Sequence, residues 1–196
     1  ADDAFELSDP KIAAALKDAP LRLASCLGNL PVEHVKIARS ADSTLANLMN
    51  TFRILQVREI WTQLGPWIKM TSPSFGKEIG DRFKWCEYVS SLPPGNEDKQ
   101  RADFSVFMDE MLGDDVLLCL PTTPFVAPLY DEELSPQQRD AVLSLTCIAS
   151  LAKLPQISIP FTTVDDCPVG FSIITKRGTD LQLLQLVEKL QNENFC

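Results

Sequence analysis

The sequence predicts an α/β fold in which a mixed central β-sheet is flanked by helices. The first observation is that three apolar runs of strand length, each bounded by Pro, Gly or Asp, lie at 116–120, 156–161 and 169–175. The second is the helical stretch between the first two runs, which has the length that a βαβ crossover requires. The third is that the run at 116–120 has no alternating polar residues, which is typical of a strand covered on both faces.

Short elements are predicted at the start of the chain. Residues 1–6 have the character of the end of a strand. The Ser-Asp-Pro sequence at 8–10 starts a helix, because a capping side chain precedes a proline whose missing N–H costs nothing there, and Pro20 is expected to end it. A second short helix is predicted within 21–30, and 32–37 is predicted to be a strand.

The longest predicted helix begins at Ser43. Apolar residues recur at helical spacing along it, and the Gly-Pro pair at 65–66 is expected to end it. Trp61 and Trp67 flank that break. They either pack between helices or line a pocket for an apolar ligand.

Start and stop signals mark the remaining helices. A helix is predicted at 73–88, and another between Asn96 and a closing glycine at 113. Ser135 opens a capping box, and Thr179 is predicted to open a second one before the last helix. The tight turn at 164–168 predicts that the second and third apolar runs form a hairpin.

Composition excludes several classes of function. A chain of 196 residues is enough for one sizeable domain, and its net charge of −9 leaves no basic face for nucleic acid or anionic lipid. No apolar run is long enough to span a membrane, and no signal peptide is visible. The chain has no initiator Met, so we expect it to begin inside a longer polypeptide.

Cysteine and histidine usage favours neither a metal site nor a cofactor. The six cysteines are scattered without a CxxC pair, and His34 is the only histidine. His34 is either a ligand or base, or an ordinary residue of a half-exposed segment. Cys119 and Cys147 lie in apolar segments and are expected to be reduced core residues, which favours a reducing compartment and a cytoplasmic location.

The loop after the first core strand is the first candidate site. Pro121 cannot donate to a ladder, so the strand must end there. Thr122 and Thr123 then place two hydroxyls on a stiff loop at the C-terminal end of a strand, where α/β proteins usually keep their sites. The alternative is that the two threonines serve only turn chemistry.

Four motifs, in this order, resemble the C-terminal half of the amidase signature family, and within it the plant-type indole-3-acetamide amidases. The family shows a buried strand ending in D-x-L-L-x-P-T-T-P-x-x-A-P, an L-P turn before an apolar S-x-P strand, a C-P-V-G-x-S-x-I strand and a G-x-D-x-x-L-L helix start. The matching stretches here are residues 115–128, 151–160, 167–173 and 178–184.

The resemblance implies amide hydrolysis by a Ser–cis-Ser–Lys triad. In the family, a serine attacks the carbonyl, a second serine relays the proton, a lysine is the base, and backbone N–H groups of a Gly-Ser-rich loop hold the oxyanion. That loop and the lysine belong to the N-terminal half, before the position that matches Ala1. This sequence has no such loop. We therefore assign no catalytic residue to this chain.

The resemblance implies that this half of the domain forms part of the central sheet and part of the acyl-pocket wall. Thr122 and Thr123 are the polar candidates for that wall, and Leu143 and Cys147 come from the helix before the L-P turn. Family members that take glutamine place an acidic residue near the start of that helix's apolar run. Here Leu143 or Ser144 takes that place, which argues for an aryl or alkyl amide rather than a charged substrate.

The resemblance also predicts which partners this chain has. Residues 1–196 are expected to form the C-terminal portion of a single amidase domain, whose partners are the N-terminal half, as a separate chain or a missing segment, and a small-molecule amide. The alternatives are a non-catalytic amidase-like scaffold or binding module, and a bare structural α/β domain. Lys153 replaces the family's usual glycine, so the helix end there is expected to be either not left-handed or strained.

Overall fold

A computed structural model of the chain describes residues 1–38, 43–193 and 195. The helices in these residues are α1 (Asp2–Leu7), α2 (Pro10–Leu16), α3 (Ala19–Cys26), α4 (Leu45–Thr71), α5 (Lys77–Ser91), α6 (Glu97–Leu112), α7 (Pro136–Ala152) and α8 (Asp180–Asn192). The strands are β1 (Leu118–Pro121), β2 (Gln156–Val164) and β3 (Cys167–Ile174). The predicted α/β class is confirmed.

The three strands form one sheet in the order β1-β3-β2. Both neighbouring pairs are antiparallel, so β1 and β2 run in the same direction on either side of β3. α7 therefore provides the predicted crossover between two parallel strands, with β3 inserted between them. The predicted hairpin of β2 and β3 is confirmed, and Asp165 and Asp166 form its turn at φ 50° and 63°, as a type I′ turn requires.

Each face of the sheet carries its own layer of helices. Because side chains alternate along a strand, Leu118, Leu120 and Ile174 point to one face, where they pack with α4, α6 and α7. Phe171 and Ile173 point to the other face, where they pack with α2, α3 and α8. β1 and most of β3 are therefore covered on both faces, as predicted for the first run, whereas Ser158 and Pro160 of β2 are exposed.

The start of the chain differs from its prediction. Residues 1–6 lie mostly in α1 and not in a strand, since two acidic side chains in the first turn favour a helix N-terminus. Residues 32–37 form no strand either. Their backbone is held instead by the N–H of Asp2, which donates to Val35 O at 2.8 Å. Pro20 stands in the first turn of α3 and starts that helix; α2 has already ended at Leu16.

α4 continues through the Gly-Pro pair that was expected to end it. Pro66 removes one helical hydrogen bond, but α5 packs along α4 on both sides of it, through a cluster of Val57, Cys86 and Val89 before the proline and the Lys69–Glu87 ion pair at 3.0 Å after it. Tertiary packing here overrides the local stop signal. Trp61 packs against this cluster, and Trp67 is 45% exposed and contacts the ring of Phe75 edge-on at 6.3 Å.

Three helix ends, the two ends of α7 and the start of α8, test the capping predictions. The capping box at Ser135 is confirmed, since Gln138 N–H donates to its hydroxyl and the Gln138 side chain accepts from the Ser135 N–H. The second capping box is wrong, because the Thr179 hydroxyl donates instead to the carbonyl of Lys176 at 2.6 Å. Lys153 adopts the left-handed conformation at φ 57°, which supports the strained alternative.

A helix that crosses a bilayer needs roughly 20 predominantly apolar residues. In residues 1–38, 43–193 and 195, no helix combines sufficient length with sufficient apolar character to cross a membrane.

Candidate functional site

Thr122 stands where β1 ends, and its side chain joins all three strands. Its N–H donates to Gly170 O of β3 at 3.0 Å, which continues the ladder one residue beyond Pro121. Its hydroxyl lies 2.7 Å from the Ser158 hydroxyl of β2 and 2.8 Å from the Ser172 hydroxyl of β3. The predicted candidate is therefore the centre of a hydroxyl cluster.

The hydroxyl cluster extends from the interior to the surface of the sheet. The side-chain amide of Gln156 donates to the Ser172 hydroxyl at 3.0 Å. In both hydroxyl–hydroxyl contacts of Thr122, either oxygen can be the donor. Ser172 is fully buried, whereas Ser158 is exposed. Ser158 is therefore the member of the cluster that a molecule above the sheet can reach.

Gly170 leaves room for this cluster. A Cβ atom at Gly170 would lie 2.7 Å from the Thr122 hydroxyl oxygen and 2.8 Å from that of Ser158. Both distances are too short for any real contact of a Cβ atom. In the V-G-F-S sequence of β3, Gly170 leaves space because it has no side chain, and Ser172 provides a hydroxyl. Both residues lie on the face that Thr122 and Ser158 share.

Thr123 differs from its neighbour. Its hydroxyl donates to the carbonyl of Phe125 at 3.1 Å, within the same loop. This is the turn chemistry that the sequence left open for both threonines. The structure thus separates the two: Thr122 joins the cluster between strands, and Thr123 stabilises the loop.

The two α7 candidates lie in a different environment. Cys147 is fully buried, and its thiol donates to Ser144 O of the same helix at 3.7 Å, while Leu143 is half-buried. On the neighbouring α4, Arg53 forms an ion pair with Asp140 at 2.5 Å. The structure shows no contact that joins Thr122 to Cys147, among the contacts of the described residues, so a shared pocket wall stays a prediction for these four residues.

Neither Cys119 nor Cys147 is suited to nucleophilic attack. Burial raises the pKa of Cys119 and of Cys147 to about 12, because an apolar environment disfavours the thiolate. His34 is the remaining candidate base. It is 79% exposed and lies 2.7 Å from the Asp2 carboxylate, and this hydrogen bond lowers the pKa of Asp2. His34 and Asp2 are therefore a hydrogen-bonded pair at the surface, as expected if His34 is an ordinary residue of a half-exposed segment.

A metal site needs several His, Cys, Asp or Glu side chains close together. Within the portion of the chain that the structure describes, no three His, Cys, Asp or Glu side chains are grouped so that they could hold a metal ion. The cysteines described there, Cys26, Cys86, Cys119, Cys147 and Cys167, are free thiols.

Sequence reasoning missed Ser158 and Ser172 as members of the site. Both serines belong to quoted motifs, but the register of the two-residue Asp-Asp turn alone would place Ile159 opposite Ser172. A β-bulge between Pro160 and Thr162 shifts the register by one residue and brings Ser158 opposite Ser172. What the sequence could not supply is the position of β1 next to β3, which brings Thr122 to both serines.

Comparisons with known proteins agree with this architecture. The sequence model of the Amidase family matches residues 66–184. Amidase 1 of Arabidopsis thaliana is 28% identical over 149 residues, which cover 75% of this chain and 35% of that protein. Outer envelope protein 64, chloroplastic, of the same plant is 28% identical over 156 residues, covering 79% of this chain and 26% of that protein.

A solved structure shows the same fold. An amidase crystal structure superposes with a TM-score of 0.77 at 20% sequence identity, covering 98% of this chain and 44% of that one. This chain thus spans about a quarter to a third of the length of the two curated relatives. Because the family's sequence pattern extends over more than half of the residues, this chain belongs to the amidase family.

Proposed function

We propose that this chain is part of an amidase that hydrolyses carboxylic amide C–N bonds by a Ser–cis-Ser–Lys mechanism, with all three residues outside residues 1–196. The observation that carries the proposal is the family match at 66–184 in a chain that spans only 35% of Amidase 1. Residues 1–196 then form the C-terminal portion of a single amidase domain, and the N-terminal half is their partner.

Three lysines of this chain support the proposal that the catalytic lysine lies outside residues 1–196. A lysine that accepts a proton at neutral pH needs a pKa lowered by burial. Here Lys11, Lys36 and Lys176 have pKa values shifted the other way, because each bonds to a carboxylate at the protein surface. These three are held in the charged form, which is the opposite of what a catalytic base requires.

In this proposal, the chain contributes one wall of the acyl pocket. Thr122 and Ser158 supply hydroxyls on the open part of the sheet face, and the exposed Ser158 hydroxyl can donate to an acceptor such as an amide carbonyl. Leu143 of α7, which is half-buried, supplies apolar surface, whereas Cys147 is fully buried and contributes through the packing of the helix. Leu143 and Ser144 carry no charge, which favours an aryl or alkyl amide over a charged one.

The second candidate is a non-catalytic amidase-like scaffold or binding module. It is favoured by the equal, 28% identity to a protein named Outer envelope protein 64 and to Amidase 1. Both candidates keep the fold described here. They differ in whether the N-terminal half carries the catalytic triad. A cytoplasmic location stays a prediction for either.

The test begins with the intact mass of the natively purified protein, under native and then denaturing conditions. We expect an additional N-terminal portion, either in the same polypeptide or as a second one, with a Gly-Ser-rich loop and an upstream lysine. The assembled protein should then hydrolyse aryl amides, and EDTA should leave the rate unchanged. A folded assembly without hydrolysis of any aryl or alkyl amide would support the scaffold instead.

Thr122→Val in the assembled enzyme tests the pocket wall. It removes the hydroxyl at the centre of the cluster and keeps the volume, so we expect a several-fold increase in KM for the preferred amide. Thr123→Val is the matched control, since its hydroxyl bonds only within the loop. Equal KM values for both variants would remove Thr122 from the substrate site.

A further inference from the structure

The hairpin of α4 and α5 carries a row of bulky apolar side chains on each helix. Each of these side chains is between 39% and 79% exposed, and within a helix they recur every three or four residues, which places them along one side. We call this set the hairpin face, and its members are Leu64, Trp67 and Met70 of α4, and Trp85, Tyr88 and Leu92 of α5 and its C-cap.

The two rows lie on the same side of the hairpin. α4 and α5 are antiparallel, and the Lys69–Glu87 ion pair at 3.0 Å bridges them along one side. Because each residue turns a helix by about 100°, Trp67 lies about 200° around α4 from Lys69, and Trp85 lies about 200° around α5 from Glu87. Both tryptophans therefore point away from the side of the ion pair, and the two rows form one face.

Aromatic contacts at the tip of the hairpin hold this face in place. The ring of Phe75, in the loop between the helices, lies 6.3 Å from the ring of Trp67 and 4.8 Å from that of Phe83. These three rings join the end of α4 to the start of α5. A face that is fixed before binding loses little conformational entropy when a partner covers it, which favours association.

The hairpin face is large enough for a stable interface. With roughly 200 Å² for a fully exposed bulky side chain, its six members present roughly 600 Å² of surface. A standard interface buries about 800 Å² per partner, and somewhat more than half of that area is apolar. Trp, Tyr and Met are enriched at the cores of interfaces, and the face contains all three. It therefore supplies the apolar part of one side of such an interface.

The charges around the hairpin face favour a second copy as its occupant. The net charge of the chain is −9, so contact between two copies is least unfavourable where the surface is close to neutral. Residues 64–92 hold four basic and three acidic side chains, which gives a net charge of +1. Two of the basic side chains are already paired within the hairpin, Lys69 with Glu87 and Lys84 with Asp81. An anionic bilayer would instead require several unpaired basic residues beside the face.

We propose that the hairpin face is the interface of a homodimer, in which two copies of this chain pack their α4–α5 hairpins against each other about a two-fold axis. In such a contact the same patch is used by both copies, and the four helices pack as in a helix bundle. Met70 and Tyr88, the two most exposed members of the face, become buried anchors. The inference requires only the fold of residues 64–92 and does not depend on the proposed function.

Sedimentation equilibrium of the assembled protein tests the dimer. We expect twice the mass of one assembled copy in the micromolar range. Met70→Glu and Tyr88→Glu each place two carboxylates in the contact, so each should raise the dissociation constant of the dimer by about tenfold or more. Leu181→Glu is the matched control and should leave the mass unchanged, because Leu181 is 65% exposed on α8, outside the hairpin. A monomer at every concentration, or a dimer that all three variants leave intact, would overturn the proposal.

Photo-crosslinking identifies the occupant without relying on the glutamate variants. p-Benzoylphenylalanine replaces Tyr88 in an equal mixture of isotopically light and heavy assembled protein, to which vesicles of phosphatidylcholine and phosphatidylserine are added. We expect crosslinked peptides that join a light copy to a heavy copy within residues 64–92. Crosslinks to another segment of the same copy or to lipid in their place, or no crosslinks, would refute the dimer.

Discussion

At the residue scale, the hydroxyl oxygen of Thr122 lies 2.7 Å from that of Ser158 and 2.8 Å from that of Ser172, and so links the end of β1 to β2 and β3. Ser158 and Ser172 face each other across the β2–β3 hairpin, and Gly170 leaves the space that the cluster occupies. Hydroxyl groups that bond to one another in a partly buried place also order each other's hydrogens. Ser158 is the exposed member of this cluster.

Gly170→Ala tests the space beneath the cluster. Its Cβ atom would be 2.7 Å from the Thr122 hydroxyl oxygen, so Thr122 and Ser158 must both move. We expect the free energy of unfolding of the assembled protein to fall by about 1–3 kcal/mol, as for other overpacking substitutions. Gly76→Ala is the control, because a Cβ there meets no atom within 4 Å. Similar urea midpoints for both variants would contradict this account.

The buried thiols give a prediction with a pH dependence. With pKa values of about 12, Cys119 and Cys147 should resist iodoacetamide at pH 8 in the folded protein and react in urea. A thiol whose pKa is raised by folding binds its proton more tightly in the native state. Its contribution to stability is complete below the unfolded pKa near 9 and is lost as the pH rises toward 12.

We therefore expect the melting temperature of the assembled protein to decrease between pH 9 and 12. Peptide mapping identifies the labelled cysteines, and the unfolded protein is the control for reagent access. Labelling of Cys147 in the folded protein at pH 8, as fast as in urea, would refute the burial argument.

At the element scale, local signals predicted helices best where the cap residues also satisfy the backbone. α7 begins at a capping box and ends at its predicted place. α4 does not end at Pro66, since α5 contacts it on both sides of the proline, through the Val57 cluster and through the Lys69–Glu87 ion pair. Residues 1–6 and 32–37 were wrongly predicted as strands, because six residues of mixed apolar and charged character do not distinguish a strand from a short helix or a loop.

Lys153→Gly tests the strain at the end of α7. Lys153 has φ 57°, a conformation that costs an L-residue free energy and costs glycine none. We expect the substitution to raise the free energy of unfolding of the assembled protein by about 0.5–1 kcal/mol.

Lys17→Gly is the matched control, because Lys17 ends α2 in the right-handed conformation at φ −55°. Glycine there should lower stability by about 0.5–1 kcal/mol. Changes of the same sign for both variants in thermal unfolding would show that φ at Lys153 does not decide the result.

At the scale of the whole molecule, the chain leaves large apolar surfaces without a described partner element. Several bulky side chains of α4 and α5 are exposed, among them Trp67, Met70 and Tyr88, and a groove beside β1, lined by α3 and residues 115–119, is largely apolar. Surfaces of this kind mark places where another part of a protein or a second copy packs, and an open sheet edge invites association.

We predict that residues 1–196 expressed alone aggregate or form a molten state. The isolated chain should bind ANS and lack a sharp unfolding transition by calorimetry, whereas the chain together with the N-terminal portion should unfold cooperatively. The assembled protein is the control for both measurements. A sharp melting transition of a monomer, independent of protein concentration, would contradict the prediction.

The sequence by itself determined the α/β class, the hairpin of β2 and β3, the start of α7 and the family, because each of these depends on residues close together in the chain. Thr122 was also found from the sequence, as a hydroxyl after a strand that proline ends. Only the tertiary structure decided that Thr122 meets Ser158 and Ser172, that α4 continues through Pro66, and that the edge of β1 lies open beside Ala1. Those features depend on contacts between residues far apart in the chain, and local propensity carries no information about them.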